Sequence, residues 1–216
     1  MLEKQGFTVK GEVKGCDIAA VKGEQLWVIE LKRHLSIDLL YQAMSRLSIT
    51  PFVFAAIPRP KNGDLRNAKK LLKKLEIGLI TVALDSPVKY AEIILYPKES
   101  NKPGKSGKKA VSIRKEIEGR RSDTPGGSTR TPIITAYRER SIKIACILEQ
   151  AEDLSAAELI QQHDCEKDTG SILQRNYYGW FTRVAKGRYA LSSLGRQFLE
   201  ENNCNDVVIY YKQLKR

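Results

Sequence analysis

The sequence predicts an α/β sandwich on a mixed sheet, followed by a smaller, mostly helical domain that carries a β-hairpin. Three observations predict it. Strand-like apolar runs alternate with helical patterns up to residue 97, and apolar residues recur at helical spacing after residue 128. A stretch rich in Lys, Arg, Pro and Gly separates the two regions. The 216 residues suffice for one large domain or two small ones. A hydrophobic fraction of 42%, slightly below the usual globular share, fits two modest cores.

The first domain, residues 1–97, opens with two β-rich runs, Gly11–Val21 and Leu26–Lys32. Gly23-Glu24 between them suits a two-residue type II′ turn, which takes glycine first. Ser36 caps an amphipathic helix to about Leu47, and Phe52–Ile57 is a short buried strand ended by Pro58-Arg59-Pro60. Leu65–Leu75 has helical apolar spacing, and Ile77–Ala83 and Val88–Tyr96 read as strands.

Residues 98–127 form the expected linker, a basic arm. Between Lys98 and Arg121, nine basic residues face only Glu99, Glu116 and Glu118. Such a composition buries too little apolar surface to offset the entropy of ordering it. A short helix over 110–118 is expected within it. Lys105, Lys108 and Lys109 are its candidate phosphate contacts, and a solvated tether without a partner is the alternative.

The second domain, residues 128–216, begins with Thr131-Pro132, an N-cap and a proline at the first helical position. The helix they open should reach Gln150, with Ile134, Tyr137, Ile142, Ala145 and Leu148 on its apolar face. Ser155 and Glu158 form a capping box for a second helix ending near Gln162. A third helix is predicted from Asp168 to Tyr178, then a hairpin of Trp180–Val184 and Tyr189–Leu191, then a last helix, Leu194–Asn202. Three helices followed by a hairpin is the order of a winged helix-turn-helix. Gln174, Arg175 and Asn176 fall on the third helix, where polar side chains can reach base edges in a major groove. Arg183, Lys186 and Arg188 put charge on the wing, suited to phosphate contact. Arg130, in Gly126-Gly127-Ser128-Thr129-Arg130, is a further phosphate candidate beside an interdomain-turn reading.

The charge of +12 is the footprint of a polyanion binder. No basic-then-apolar leader precedes a small-residue cleavage site. The longest apolar runs, such as Ile77–Leu84, fall far short of the roughly 20 residues that span a bilayer. A secreted or membrane protein is therefore not expected. Four scattered cysteines, Cys16, Cys146, Cys165 and Cys204, suggest neither a zinc ribbon nor a disulfide framework, so a cytoplasmic protein is expected. His34 and His163 pair with no nucleophile and read as surface residues.

Candidate chemistry sits in residues 11–32. A turn at Gly23-Glu24 pairs Val21 with Leu26, Ala19 with Val28 and Asp17 with Glu30. Opposed residues hold their Cβ atoms about 4.5–5.5 Å apart, so the two carboxylates repel unless a cation lies between them. The strand period of two sets Glu30 and Lys32 on one face and Leu31 on the other. Magnesium takes one or two carboxylates plus water and substrate phosphate. A nearby ammonium can stabilise charge developing in the transition state. The pattern thus points to metal-assisted phosphodiester hydrolysis, with a solvated surface hairpin as the alternative.

Asp17…Glu30-Leu31-Lys32 resembles the signature of the PD-(D/E)XK phosphodiesterase superfamily, which includes restriction endonucleases and archaeal Holliday-junction resolvases. GCDIAAVKGEQLWVIELK is similar to the resolvase pattern, and GGSTRTPIITAYR and NYYGWFTRVAKGRYALS resemble an uncharacterised bacterial family of such phosphodiesterases. The resemblance implies a restriction-endonuclease-like αβββαβ core. It also implies Asp17, Glu30 and the Leu31 carbonyl as ligands of Mg²⁺ or Mn²⁺, and Lys32 as the catalytic lysine. Gln42, in LLYQAMSRL, matches a glutamine often aimed at the site. Two departures stand out: the first helix is largely missing before the hairpin, with Glu12 a candidate substitute for its acid, and Cys16 replaces the proline of the signature. The expected partner is DNA, with branched and damaged forms and a homodimer among the possibilities. A non-catalytic DNA-binding regulator is the alternative function, and an interaction module whose arm binds RNA or a protein is the third.

Overall fold

The computed structural model describes residues 1–61, 64–98, 107–120 and 134–214. They fall into two compact units, Met1–Ile133 and Ile134–Arg216. Among the described residues no helix is long and apolar enough to cross a membrane.

The first unit is a six-stranded mixed sheet whose strands lie side by side in chain order. They are β1 (Thr8–Val13), β2 (Cys16–Lys22), β3 (Gln25–Leu31), β4 (Phe52–Pro58), β5 (Gly78–Ala83) and β6 (Tyr90–Leu95). β3, β4 and β5 run parallel, joined through α1 (Ile37–Arg46) and α2 (Arg66–Lys74), whereas β1, β2 and β6 add antiparallel. Parallel neighbours need such crossover helices, which explains the α/β alternation. Ser36 caps α1, its hydroxyl accepting from the Leu39 N–H at 3.2 Å.

Each face of the sheet has its own core. On one, Trp27, Ile29, Phe54, Ala56 and Ile80 are covered by Leu2 and Phe7, with the Phe7 and Trp27 rings 4.7 Å apart. On the other, Leu39 and Ala43 of α1 and Leu72 of α2 pack on Val53, Ala55, Ile57 and Leu79.

Two expectations for this unit are corrected. The run Gly11–Val21 is not one strand: Lys14 and Gly15, with φ of 51° and 79°, fold it into the β1–β2 hairpin. Two consecutive positive-φ residues are what a type I′ turn requires. The short helix expected over 110–118 is present as the longer α3 (Gly107–Gly119), and it docks on β1 and β2 instead of lying in a solvated tether. Ile113 and Ile117 pack beside Val13, Cys16, Ala19, Leu26 and Val28. Ala110, Ile113 and Ile117 share a helix face, and that face outweighs the surrounding charge. A 3₁₀ turn, Glu3–Gln5, lies before β1.

The second unit comprises α4 (Ala136–Leu148), β7 (Leu154–Ser155), α5 (Ala156–Gln162), α6 (Thr169–Arg175), β8 (Phe181–Ala185), β9 (Arg188–Leu191), α7 (Ser193–Glu201) and α8 (Asp206–Gln213). Its sheet has the order β7-β9-β8. α4 is the central rod: Ile142, Ile144, Ala145, Cys146 and Leu148 are buried among Leu159, Ile172, Trp180, Phe181 and Leu199. Thr135, not Thr131, caps α4 by accepting from the Arg138 N–H; residues 131–133 lie outside the described set. The Ser155–Glu158 capping box forms with both of its bonds, 3.2 and 2.7 Å. α6 stops three residues before the predicted Tyr178, because Asn176 turns left-handed at φ 43°.

Candidate active site

The β2–β3 hairpin has the register read from its turn: Lys22 pairs with Gln25, Val21 with Leu26 and Ala19 with Val28. Gly23 takes φ 54°, as the first position of a type II′ turn demands. The last ladder pair is Ile18 with Ile29, and one further step in that register sets Asp17 against Glu30. There the ladder gives way to a side-chain bond, with Asp17 Oδ2 accepting from the Leu31 N–H at 2.7 Å. Glu30 is only 1% exposed, on a strand flanked on both sides and opposite Ala55 of β4.

A buried carboxylate needs a counter-charge, and α1 supplies it. Arg46 Nε donates to Glu30 Oε1 at 2.7 Å, and Arg46 Nη2 donates to the Gly15 carbonyl in the β1–β2 turn. Burial pushes the Glu30 pKa up, the Arg46 bond pulls it back, and the Asp17 charge raises it further. Burial would depress the Arg46 pKa, yet Glu30, Cys16 and Asp17 together hold it above its ordinary value. The Cys16 thiol is pushed up to about 11, chiefly by burial against the opposing pull of Arg46, so it is a neutral wall of the site.

Two carboxylates on adjacent strands and the carbonyl of Leu31, the residue after Glu30, suit a hard dication, which is satisfied by one or two acids with water. The fit rests on oxygen donors alone. Among the described residues no group of three or more His, Cys, Asp or Glu gathers in a metal-holding geometry. Glu12, the candidate third acid, lies on β1. Its backbone is left-handed at φ 51°, which breaks the regular strand alternation, and its carbonyl accepts from Arg120. Lys32 stands exposed just beyond β3, its N–H donating to the Ala56 carbonyl at 3.1 Å. Gln42 lies one turn before Arg46 on α1, and its Oε1 is buried without a hydrogen-bond partner among the described residues. Arg46 was not foreseen from the sequence. The i, i+4 step from Gln42 to Arg46 is the signal that could have found it.

The candidate nucleic-acid contacts divide sharply. Lys105 and Arg130 lie outside the described residues, while Lys108 and Lys109 are exposed on α3. Gln174 and Arg175 are exposed on α6, Arg183 is exposed on β8, and Lys186 is exposed in the β8–β9 turn. Two others make bonds within the unit. Asn176 is the C-cap of α6, and its amide is spent on Phe181, donating to its carbonyl at 2.7 Å and accepting from its N–H at 3.1 Å. Arg188 does not project as a free wing cation: its guanidinium is held by Asp153 and, at 3.2 Å, by Glu158.

Comparison with known proteins finds no match among the curated proteins and none among the solved structures. A family model does match, over residues 80–198, from within β5 to within α7. Asp17, Glu30, Lys32, Gln42 and Arg46 precede the matched stretch; α3 and all the described nucleic-acid candidates fall within it. That stretch is more than half of the chain, which belongs to the family described as "Putative PD-(D/E)XK phosphodiesterase (DUF2161)".

Proposed function

We propose that the chain is a divalent-metal-dependent nuclease that hydrolyses phosphodiester bonds of DNA. The observation that carries this reading is that Asp17 reaches across the end of one hairpin to the Leu31 N–H, beside the buried Glu30, with Lys32 next along the chain. Asp17, Glu30 and the Leu31 carbonyl would hold Mg²⁺ or Mn²⁺. The bound ion would supply a water of lowered pKa and a Lewis acid for the phosphoryl oxygen. Lys32, exposed just beyond β3, would orient the attacking water and offset the negative charge that builds on the phosphate. The Gln42 amide oxygen, buried and unbonded among the described residues, is available to accept a hydrogen bond from that water.

The second unit is proposed as the targeting device. Its order α4, β7, α5, α6, β8, β9, with β9 central in the small sheet, supports a winged helix-turn-helix with α6 as the reading helix. Gln174 and Arg175 are its candidate base or phosphate contacts, and Arg183 and Lys186 the phosphate contacts of the wing.

A second reading, a DNA-binding regulator without catalysis, is favoured by one feature: Arg46 already neutralises Glu30. Incubation with linear, nicked and branched DNA in Mg²⁺ or Mn²⁺ separates the two. Cleavage by the native protein that disappears in Glu30→Ala and Lys32→Ala, at nearly unchanged DNA affinity, is the expected result. Binding without cleavage by the native protein selects the regulator.

A further inference from the structure

The mechanism above leaves Arg46 unused, although it is the only guanidinium bonded to Glu30 among the described residues. It reaches the site from α1, across the sheet face, and touches two elements at once. Nε meets the Glu30 carboxylate on β3 at 2.7 Å, and Nη2 meets the Gly15 carbonyl in the turn that leads into Cys16 and Asp17. Arg46 bonds Glu30 alone of the two acids, and the half-buried Asp17 acts on it through its charge, so two carboxylates face one guanidinium around a buried Glu30. Guanidinium suits this post because it stays charged and its fork can serve a carboxylate and a carbonyl together. A dication arriving between Asp17 and Glu30 would reverse that balance. The summed charge would become positive, and Arg46 would repel the ion across a distance at which a low dielectric makes such repulsion strong.

We propose that Arg46 is a resident counter-cation: a positioning residue that holds Glu30 and the Gly15 turn in place before metal arrives, and competes with the metal for Glu30. This inference rests on the proposal that Asp17 and Glu30 bind a divalent ion. Arg46 therefore sets the metal affinity from the unfavourable side. It keeps the empty site assembled, and it makes occupancy demand a higher metal concentration than two paired carboxylates alone would need.

Titration calorimetry of the full chain with Mn²⁺ tests this, run beside Arg46→Gln, Arg46→Lys and Glu30→Ala. Arg46→Gln removes the competing charge and is expected to bind Mn²⁺ about tenfold more tightly than the native protein. Arg46→Lys keeps the charge and should stay near the native affinity. Metal-free Arg46→Gln should also melt lower than the native protein, with saturating Mn²⁺ recovering most of the loss. A merely structural arginine would give the lower melting point and an equal or weaker affinity, and that result overturns the proposal. If Arg46→Gln does not fold, Arg46→Lys decides: a metal affinity far below native overturns the role, and a near-native one supports it. Equal Mn²⁺ binding by the native protein and Arg46→Gln, lost in Glu30→Ala, removes Arg46 alone. No Mn²⁺ binding by any of the four removes the metal reading and this inference with it.

Discussion

Glu30 is an acid folded into a place that disfavours its charge. Burial holds its pKa above the ordinary 4.5, Arg46 opposes the rise, and Asp17 adds to it. The folded protein therefore binds more protons than the unfolded chain between about 4.5 and the raised value. The stability this carboxyl contributes is fully present below about 4.5 and is lost as pH rises through the raised value. Melting temperatures of the native protein and Glu30→Gln across pH 4.5–8 should diverge accordingly, with the native protein gaining on the variant as pH falls. A constant difference would contradict the assigned burial. Glu158 works in the opposite sense. The Ser155 bonds, foremost the backbone one, and Arg188 hold its pKa below 4.5. Its contribution is present above 4.5 and is lost as pH falls through the lowered value. Asn176 shows a different lesson at this scale. As a letter it reads as a base-contacting amide, but its left-handed backbone and its two bonds to Phe181 make it the clasp between α6 and β8.

α3 concentrates the difference between charge as composition and charge as structure. Lys108 and Lys109 are exposed, but Arg114 donates to the Gly23 and Glu24 carbonyls, and the buried Arg120 donates to those of Gly11 and Glu12. Neutralising Lys108 and Lys109 should lower the slope of log affinity for DNA against log salt by about 0.9 for each phosphate left without its lysine. Arg120→Ala should instead destabilise the first unit by about 2 kcal/mol, the loss of charge-assisted bonds at a buried site. Salt titrations and denaturant melts of the two variants separate these roles. Most other elements were legible because local chemistry and tertiary packing agree in them: the Ser36 cap, the Ser155–Glu158 box, and the alternation around Gly23. The rest was hidden for identifiable reasons. Lys14 takes a left-handed turn without being Gly, Asn or Asp, so Gly11–Val21 reads as continuous strand. The first turn of α8 holds Val207-Val208-Ile209, a β-branched run that favours strand until Val207, Val208 and Tyr211 are buried against the core containing α4. Near the candidate site, the hairpin register up to Ile18–Ile29 was visible in the sequence, whereas Arg46 was not, because an arginine on an amphipathic helix ordinarily faces solvent.

At the scale of the molecule, the proposed metal ligands Asp17 and Glu30 both belong to the unit Met1–Ile133, and the unit Ile134–Arg216 supplies none. Calorimetry of the full chain should then resolve two transitions, of which Mn²⁺ raises one. An ion that binds only the folded state adds about 2.7 kcal/mol at a hundredfold excess over its Kd. A shift of both transitions, or of neither, would count against placing the ion in the first unit. The sheet order has a further consequence, for the way the chain is made. Because β1 to β6 lie side by side in the order of the sequence, each strand leaving the ribosome finds its neighbour already synthesised. The exception is the face over β1 and β2, which α3 covers and Arg120 fastens to Gly11 across 109 positions. A nascent chain that has reached β6 still exposes Val13, Ala19, Leu26 and Val28. The β2–β3 hairpin that carries the acids is thus made early, directly after β1, while its face toward α3 is the last of the sheet to be covered.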